Sequence, residues 1–311
     1  MAKPIIIIGQ QRSGTTALQS ALSYADGVRN FGEIFQFQGS SIEEVKHNFY
    51  YYINHVRQGL PALTSADQAE SELKRYLDYL DSMAPGKFYI LDIKYNLWHH
   101  FAPGWFNPFG RPFMLEYFKK MKAPVIHVVR KNLFRQYVSN EFAARTRRWH
   151  YQQEQAAHPS IPPFEIDIKD LAAHFEAVTG NEALFRKRLE GYPQTVEVTY
   201  ETLFNGRNLT APSQAQLRKV IPGSVLEKSE SRFIKPKSDP VDWVNNAEEL
   251  IEHFSDTPFG VMVMDALRPP LPQKSDRVIT DCGGDQATDP VDQEAEHEDR
   301  GGSPEGARVN G

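Results

Sequence analysis

Ile5 to Ile8 are four consecutive β-branched residues that stop at Gly9. This pattern predicts a strand buried on both faces, as in parallel sheets covered by helices. Leu18, Ala21, Leu22 and Ala25 then recur at helical spacing, so a helix starts near Gly14. Residues 42 to 58 and 66 to 83 read as helices, the second opened by Thr64 or Ser65 as cap. Phe88 to Ile93 and Val125 to Val129 read as strands, the latter entering after Pro124 and stopping at Arg130. Asn132 caps a helix that carries Leu133, Phe134, Tyr137, Val138 and Phe142 on one stripe. A helix over residues 168 to 190, a strand from Thr195 to Tyr200, and shorter helices near 212 to 220 and 242 to 254 follow. Residues 96 to 113 fit no element yet hold Trp98, Trp105 and four phenylalanines, which reads as a structured loop over a site. Strands alternating with helices predict an α/β fold with a doubly wound parallel sheet flanked by helices.

Composition divides the 311 residues into two parts. From Arg268 onward there is no Phe, Trp or Tyr, and ten acidic residues face five basic ones. The net charge of −5 therefore belongs to this stretch, and residues 1 to 267 are neutral, with 30 charges of each sign. All 36 aromatics lie in that neutral body, enough for a sizeable core. The expected organisation is one domain over residues 1–267 and a disordered acidic tail over residues 268–311, too poor in apolar surface to order itself. A neutral body argues against nucleic-acid binding. The lone Cys282 excludes a disulfide framework and a thiolate metal site. No apolar run approaches the ~18 residues needed to span a bilayer, and the Met1 to Ile8 start is too short for a signal segment. A soluble, cytoplasmic chain is expected.

Gly9-Gln10-Gln11-Arg12-Ser13-Gly14-Thr15-Thr16 follows the first strand and opens the first helix. It keeps the two glycines of the phosphate loop G-x-x-x-x-G-K-[ST], but Thr15 stands in the lysine's place. Backbone N–H groups and the helix N-terminus still face an anion, without the cation that works on the phosphates of ATP. The bland alternative is a tight turn that only joins strand to helix.

Gln11-Arg12-Ser13-Gly14-Thr15-Thr16 resembles the 5′-phosphosulfate loop of sulfotransferases that use 3′-phosphoadenosine 5′-phosphosulfate (PAPS). The segment Val125 to Ser139 is similar to that family's 3′-phosphate site, where a strand-end Arg and a Ser on the next helix grip the phosphate; here these are Arg130 and Ser139. The nine-residue step between them suits the bacterial trehalose 2-sulfotransferase branch better than the common cytosolic and Golgi enzymes. Phe31-Gly32-Glu33-Ile34-Phe35-Gln36, Asp92-Ile93-Lys94-Tyr95-Asn96 and Thr199-Tyr200-Glu201-Thr202-Leu203 resemble that branch too. The likeness spans about residues 4 to 205. It implies a P-loop-type sheet, PAPS as co-substrate, and transfer of a sulfuryl group to a hydroxyl of a carbohydrate or glycolipid; it allows a homodimer.

Under this resemblance Arg12, Ser13, Gly14, Thr15, Thr16, Arg130 and Ser139 bind the co-substrate, and Glu33, Lys94 and Arg12 are catalytic. Glu33 is the general base, since a carboxylate among Phe31, Phe35 and Phe37 has its pKa raised toward a base's working range, or, read without the resemblance, a helix-capping or solvated glutamate. Many sulfotransferases carry a His two residues after a strand-end Lys, but here that position is Asn96, which takes no proton. His99 and His100 stand as rivals, since imidazole suits the task near pH 7. Lys94 neutralises the leaving phosphate, or is a lysine snorkelling at the surface. Arg130 forks onto phosphate. Ser139 lies about 10 Å along its helix from Asn132, so the phosphate meets that helix's side, with Arg135 one turn away. Arg145, Arg147 and Arg148 extend a local positive surface or are plain solvated charges. Trp98, Trp105 and Trp149 stack on sugar or adenine, or are core. Lys235-Pro236-Lys237 is a weak match to a basic cofactor loop. No metal is required, because protein cations and dipoles meet the developing charge. The acceptor pocket is drawn from residues 35 to 60, 95 to 118 and 145 to 165. The alternatives are a small-molecule kinase using ATP and Mg²⁺ on the same loop, and a non-catalytic nucleotide-binding homologue.

Overall fold

Ile5 to Ile8 lie at the middle of β1 (Lys3–Gly9) and are fully buried, Ile6 and Ile8 on one face and Ile5 and Ile7 on the other. A computed structural model describes residues 2–36, 45–59, 63–84, 86–101, 112–149, 161–233 and 239–268. Residues Met1–Pro269 form one compact unit. The tail expected from residue 268 lies, beyond Arg268 itself, outside the described residues.

After β1 come α1 (Thr15–Leu22), β2 (Val28–Glu33), α2 (Phe49–Tyr51), α3 (Ala66–Ser82), β3 (Phe88–Lys94), α4 (Phe113–Lys120) and β4 (Val125–Val129). Then follow α5 (Leu133–Thr146), α6 (Ile168–Leu189), β5 (Thr195–Thr199), α7 (Tyr200–Leu203), and the two-residue strands β6 (Phe204–Asn205) and β7 (Asn208–Leu209). The helices α8 (Ala211–Leu217), α9 (Gly223–Leu226), α10 (Ala247–Phe254) and α11 (Gly260–Leu267) close the unit.

The five long strands run parallel in the order β2-β3-β1-β4-β5. One face packs on α3, α4 and the end of α6 through Leu73, Leu77, Leu115, Phe118 and Phe185. The other packs on α1, α8 and α9 through Leu18, Leu22, Leu217 and Leu226. The sheet is therefore the doubly wound α/β arrangement the alternating pattern predicts. A third cluster joins α5, α6, α10 and α11 around Phe134, Phe175 and Phe254. From β1 the chain turns toward β2, while from β4 it continues out to β5, so the crevice beside the C-terminal end of β1 is the place where such sheets take ligands. Register aligns Gly9 with Lys94 and Glu33 with Asp92, bringing these residues to one edge.

Several expectations need correction. The helix expected over residues 42 to 58 begins, among the described residues, only at Phe49, capped by Asn48, and continues from Tyr52 to Arg57 as a π-helix. β2 carries no alternating pattern because it is an edge strand with a shifted register between Asn30 and Glu33, and only Phe31 is buried. The loop expected over residues 96 to 113 opens as a 3₁₀ turn at Tyr95–Leu97 and sends Trp98 and Phe101 into the core. Trp98 meets Phe118 edge-on at 6.2 Å and Phe185 at 5.8 Å, so its ring is core and not a ligand platform. Residues 102–111, with Trp105, lie outside the described residues.

Candidate active site

The turn from β1 into α1 is shaped by close packing. Gly14 has φ +89° and is the N-cap of α1, with no side-chain capping hydrogen bond. A Cβ on Gly14 would lie 2.5 Å from Cδ2 of Tyr200, and one on Gly9 2.8 Å from the carbonyl oxygen of Val128. Gly14→Ala therefore combines left-handed strain with overlap against a packed ring. It should cost at least ~2 kcal/mol of stability, read as a lower denaturant midpoint at unchanged slope. A midpoint equal to wild type would show that the Tyr200 ring moves aside freely.

Ser13 turns inward: its amide and its hydroxyl both donate to the Gln10 carbonyl, at 3.3 and 2.6 Å, so it shapes the turn. Thr16 is half-buried at the second position of α1. Arg12 sits at φ +63°, uncommon for a side chain other than glycine. Its Nε donates to Ser139 Oγ at 3.1 Å and its Nη1 to the Trp149 carbonyl.

Arg130 follows the last residue of β4, and its Nη1 donates to the Arg12 carbonyl at 2.8 Å. Its guanidinium lies 4.4 Å from the centroid of the Tyr200 ring. Burial pulls its pKa below the ordinary arginine value, opposed by Tyr200 and Glu201. Its Nε is buried without a hydrogen-bond partner among the described residues. An orphaned, buried donor on a permanent cation fits an anion there. Arg12, Arg130 and Ser139, distant in sequence, thus meet on the α5 side of the turn. Glu201 accepts from the amides of Lys131 and Asn132 at 3.1 and 3.0 Å and fixes the start of α5.

On the other side of the turn, Lys94 ends β3 almost wholly buried, so it does not snorkel at the surface. Its Nζ lies 2.6 Å from Thr15 Oγ1, 2.7 Å from Asp92 Oδ2 and 3.3 Å from Glu33 Oε1. The cation missing from the loop's own sequence reaches the loop from β3. Glu33 ends β2 between buried Phe31 and Phe35, with Phe37 outside the described residues. Burial pushes its carboxyl above the ordinary value; Lys94 opposes this and Asp92 adds to it. His100 stacks on Phe35 at 4.9 Å and also meets the rings of Phe49 and Tyr50. Burial lowers the pKa of both His99 and His100, with Arg188 adding to it at His99 and His99 at His100.

Other residues singled out from sequence lie elsewhere. Arg135 pairs with Asp239 and points to the C-terminal helices, donating to the Ala266 carbonyl at 3.5 Å, so it does not join Ser139. Arg145 pairs with Glu141 at 3.4 Å and lies over Phe164 at 4.5 Å. Arg147, at φ +53°, caps the end of α5. Trp149 is exposed. Lys235, Pro236 and Lys237 lie outside the described residues. Three residues given no role from sequence complete the site: Asp92, Gln19 and Tyr200. Asp92 had a legible signal, a carboxylate set in the apolar run Phe88 to Ile93.

The model of the Sulfotransferase family matches residues 4–211. No curated protein matches the chain. Among solved structures, a sulfotransferase from Alicyclobacillus acidocaldarius is similar, with 13% identity over 87% of this chain and 98% of that one, at a TM-score of 0.40.

Proposed function

The chain belongs to the sulfotransferase family, and on that footing we propose that it moves a sulfuryl group from PAPS to a hydroxyl of a carbohydrate or glycolipid acceptor. The observation that carries this reading is the junction at Lys94, whose one ammonium reaches both the Thr15 hydroxyl and the Glu33 carboxylate. Transfer needs a base for the incoming hydroxyl and a cation for the phosphate that leaves, held in line. Glu33 takes the hydroxyl proton. The acceptor oxygen bonds to sulfur as the bond from sulfur to the bridging phosphate oxygen breaks. Lys94 and the start of α1 meet the charge left on that phosphate, with Arg12 beside them. Arg130 and Ser139 hold the 3′-phosphate. No helix among the described residues is long and apolar enough to cross a membrane.

Calorimetric titration tests the co-substrate. Adenosine 3′,5′-bisphosphate is expected to bind, and ATP with Mg²⁺ to bind at least ~100-fold more weakly, because Arg130 and Ser139 have no task on a 3′-hydroxyl. A preference for ATP would overturn the reading. With the bisphosphate bound, turnover of labelled PAPS across a panel of sugars and glycolipids identifies the acceptor.

A further inference from the structure

Asp92 is the most deeply buried charged residue of the site, at 0% exposure between Leu91 and Ile93, which are equally buried. A carboxylate there costs several kcal/mol unless it is paired, and the neighbouring apolar residues would fill the strand without that cost. Oδ2 accepts from Lys94 Nζ at 2.7 Å and from Gln19 Nε2, which ties β3 to α1. Oδ1 is buried with no hydrogen-bond partner among the described residues.

We infer that Asp92 is a positioning residue for the transfer proposed above, fixing the Lys94 ammonium between Thr15 and Glu33 without touching substrate. This rests on that reading of the function. Residues two apart on a strand face the same side, so Asp92 sets the direction of an otherwise flexible lysine stem. An ammonium has three protons, and here three acceptors meet it: Asp92, Thr15 and Glu33. To engage a phosphate oxygen, Lys94 must give up one of them. The bond to Asp92 is short and dry; the contact with Glu33 is the longest, at 3.3 Å, and Glu33 retains some exposure. Glu33 is the partner released. Lys94 then turns to the phosphate while Asp92 keeps hold of it, and Glu33 loses the cation that weakened it as a base. Co-substrate binding and base strength are coupled through one side chain.

The charged groups that act on Glu33 are Lys94 and Asp92 of β3; α1 presents the uncharged Thr15 and Gln19 to the same junction. Asp92→Asn keeps the shape and removes the charge, so Lys94 leans onto Glu33. The expected result is a kcat about 10- to 100-fold lower, with bisphosphate affinity within ~3-fold of wild type. The acid limb of kcat/KM should also move to lower pH, because Asp92's charge holds Glu33 up; a merely structural role does not move that limb. If Asp92→Asn does not fold, Gln19→Leu takes its place: it keeps both charges but frees the carboxylate, and should lower kcat about 3- to 10-fold at unchanged bisphosphate binding. An unmoved limb or a wild-type kcat in folded Asp92→Asn, or wild-type kcat in Gln19→Leu, overturns the assignment. A wild type that transfers no sulfuryl group from PAPS overturns the functional reading and this assignment with it.

Discussion

Replacing Arg130 by alanine is expected to weaken binding of adenosine 3′,5′-bisphosphate by about 100-fold or more, and binding of adenosine 5′-phosphate by only a few-fold. Arg130 is a cation whose Nε is buried with no partner among the described residues while its Nη1 is bonded to the Arg12 carbonyl. A fork of charge-assisted bonds to a phosphate is worth about 3 kcal/mol, which is roughly two decades in the dissociation constant. The smaller loss on the 5′-phosphate follows from the second bond: without Arg130 the Arg12 carbonyl loses its donor and the turn loosens. The ratio between the two ligands is thus the diagnostic quantity, measured by calorimetry on wild type and Arg130→Ala. Equal losses would make Arg130 a brace for the turn and remove it from the 3′-phosphate. Arg130→Lys should recover part of the affinity and little of the geometry, since an ammonium is a point charge and not a fork.

The buried strands were legible because their chemistry is uniform. Ile5 to Ile8 and Val125 to Val129 have apolar partners on both faces, so a run without alternation has one reading. The edge strand β2 was hidden for the opposite reason: Arg29, Asn30, Gly32 and Glu33 need no core, and only pairing with β3 makes them a strand. In the site, Arg12 is legible as a residue of the loop after β1, Arg130 and Lys94 as residues at strand ends, and Ser139 as one on a helix. Sequence spacing carries no information on the bond from Lys94 to Thr15, which crosses 79 positions. Nor does it show that Tyr200 packs against Gly14 and beneath Arg130, because that contact depends on β5 lying next to β4. Arg135 misled because helical spacing gives the turn but not the face that α10 and α11 occupy.

Glu33→Gln is expected to lower kcat by about 10²- to 10⁴-fold, the range a positioned general base supplies, with bisphosphate affinity within ~3-fold of wild type. Burial works against the ionised form of Glu33, so its carboxyl titrates above the ordinary value. The wild-type kcat/KM should accordingly rise with pH along an acid limb displaced upward from the ordinary glutamate value, and Glu33→Gln should flatten it. The sign for stability is opposite to that for activity. The folded state accepts the Glu33 charge less readily than the unfolded chain does, so stability falls as pH rises through the interval between the two pKa values. The neutral amide removes that cost, and the variant should melt no lower than wild type at pH 8. Loss of turnover with retained binding and melting would separate chemistry from folding in one protein. A persistent acid limb with little loss of kcat would instead transfer the base to His99 or His100. Against that stand the stack of His100 on Phe35 and its packing on Phe49 and Tyr50, which commit the ring to the aromatic cluster behind Glu33.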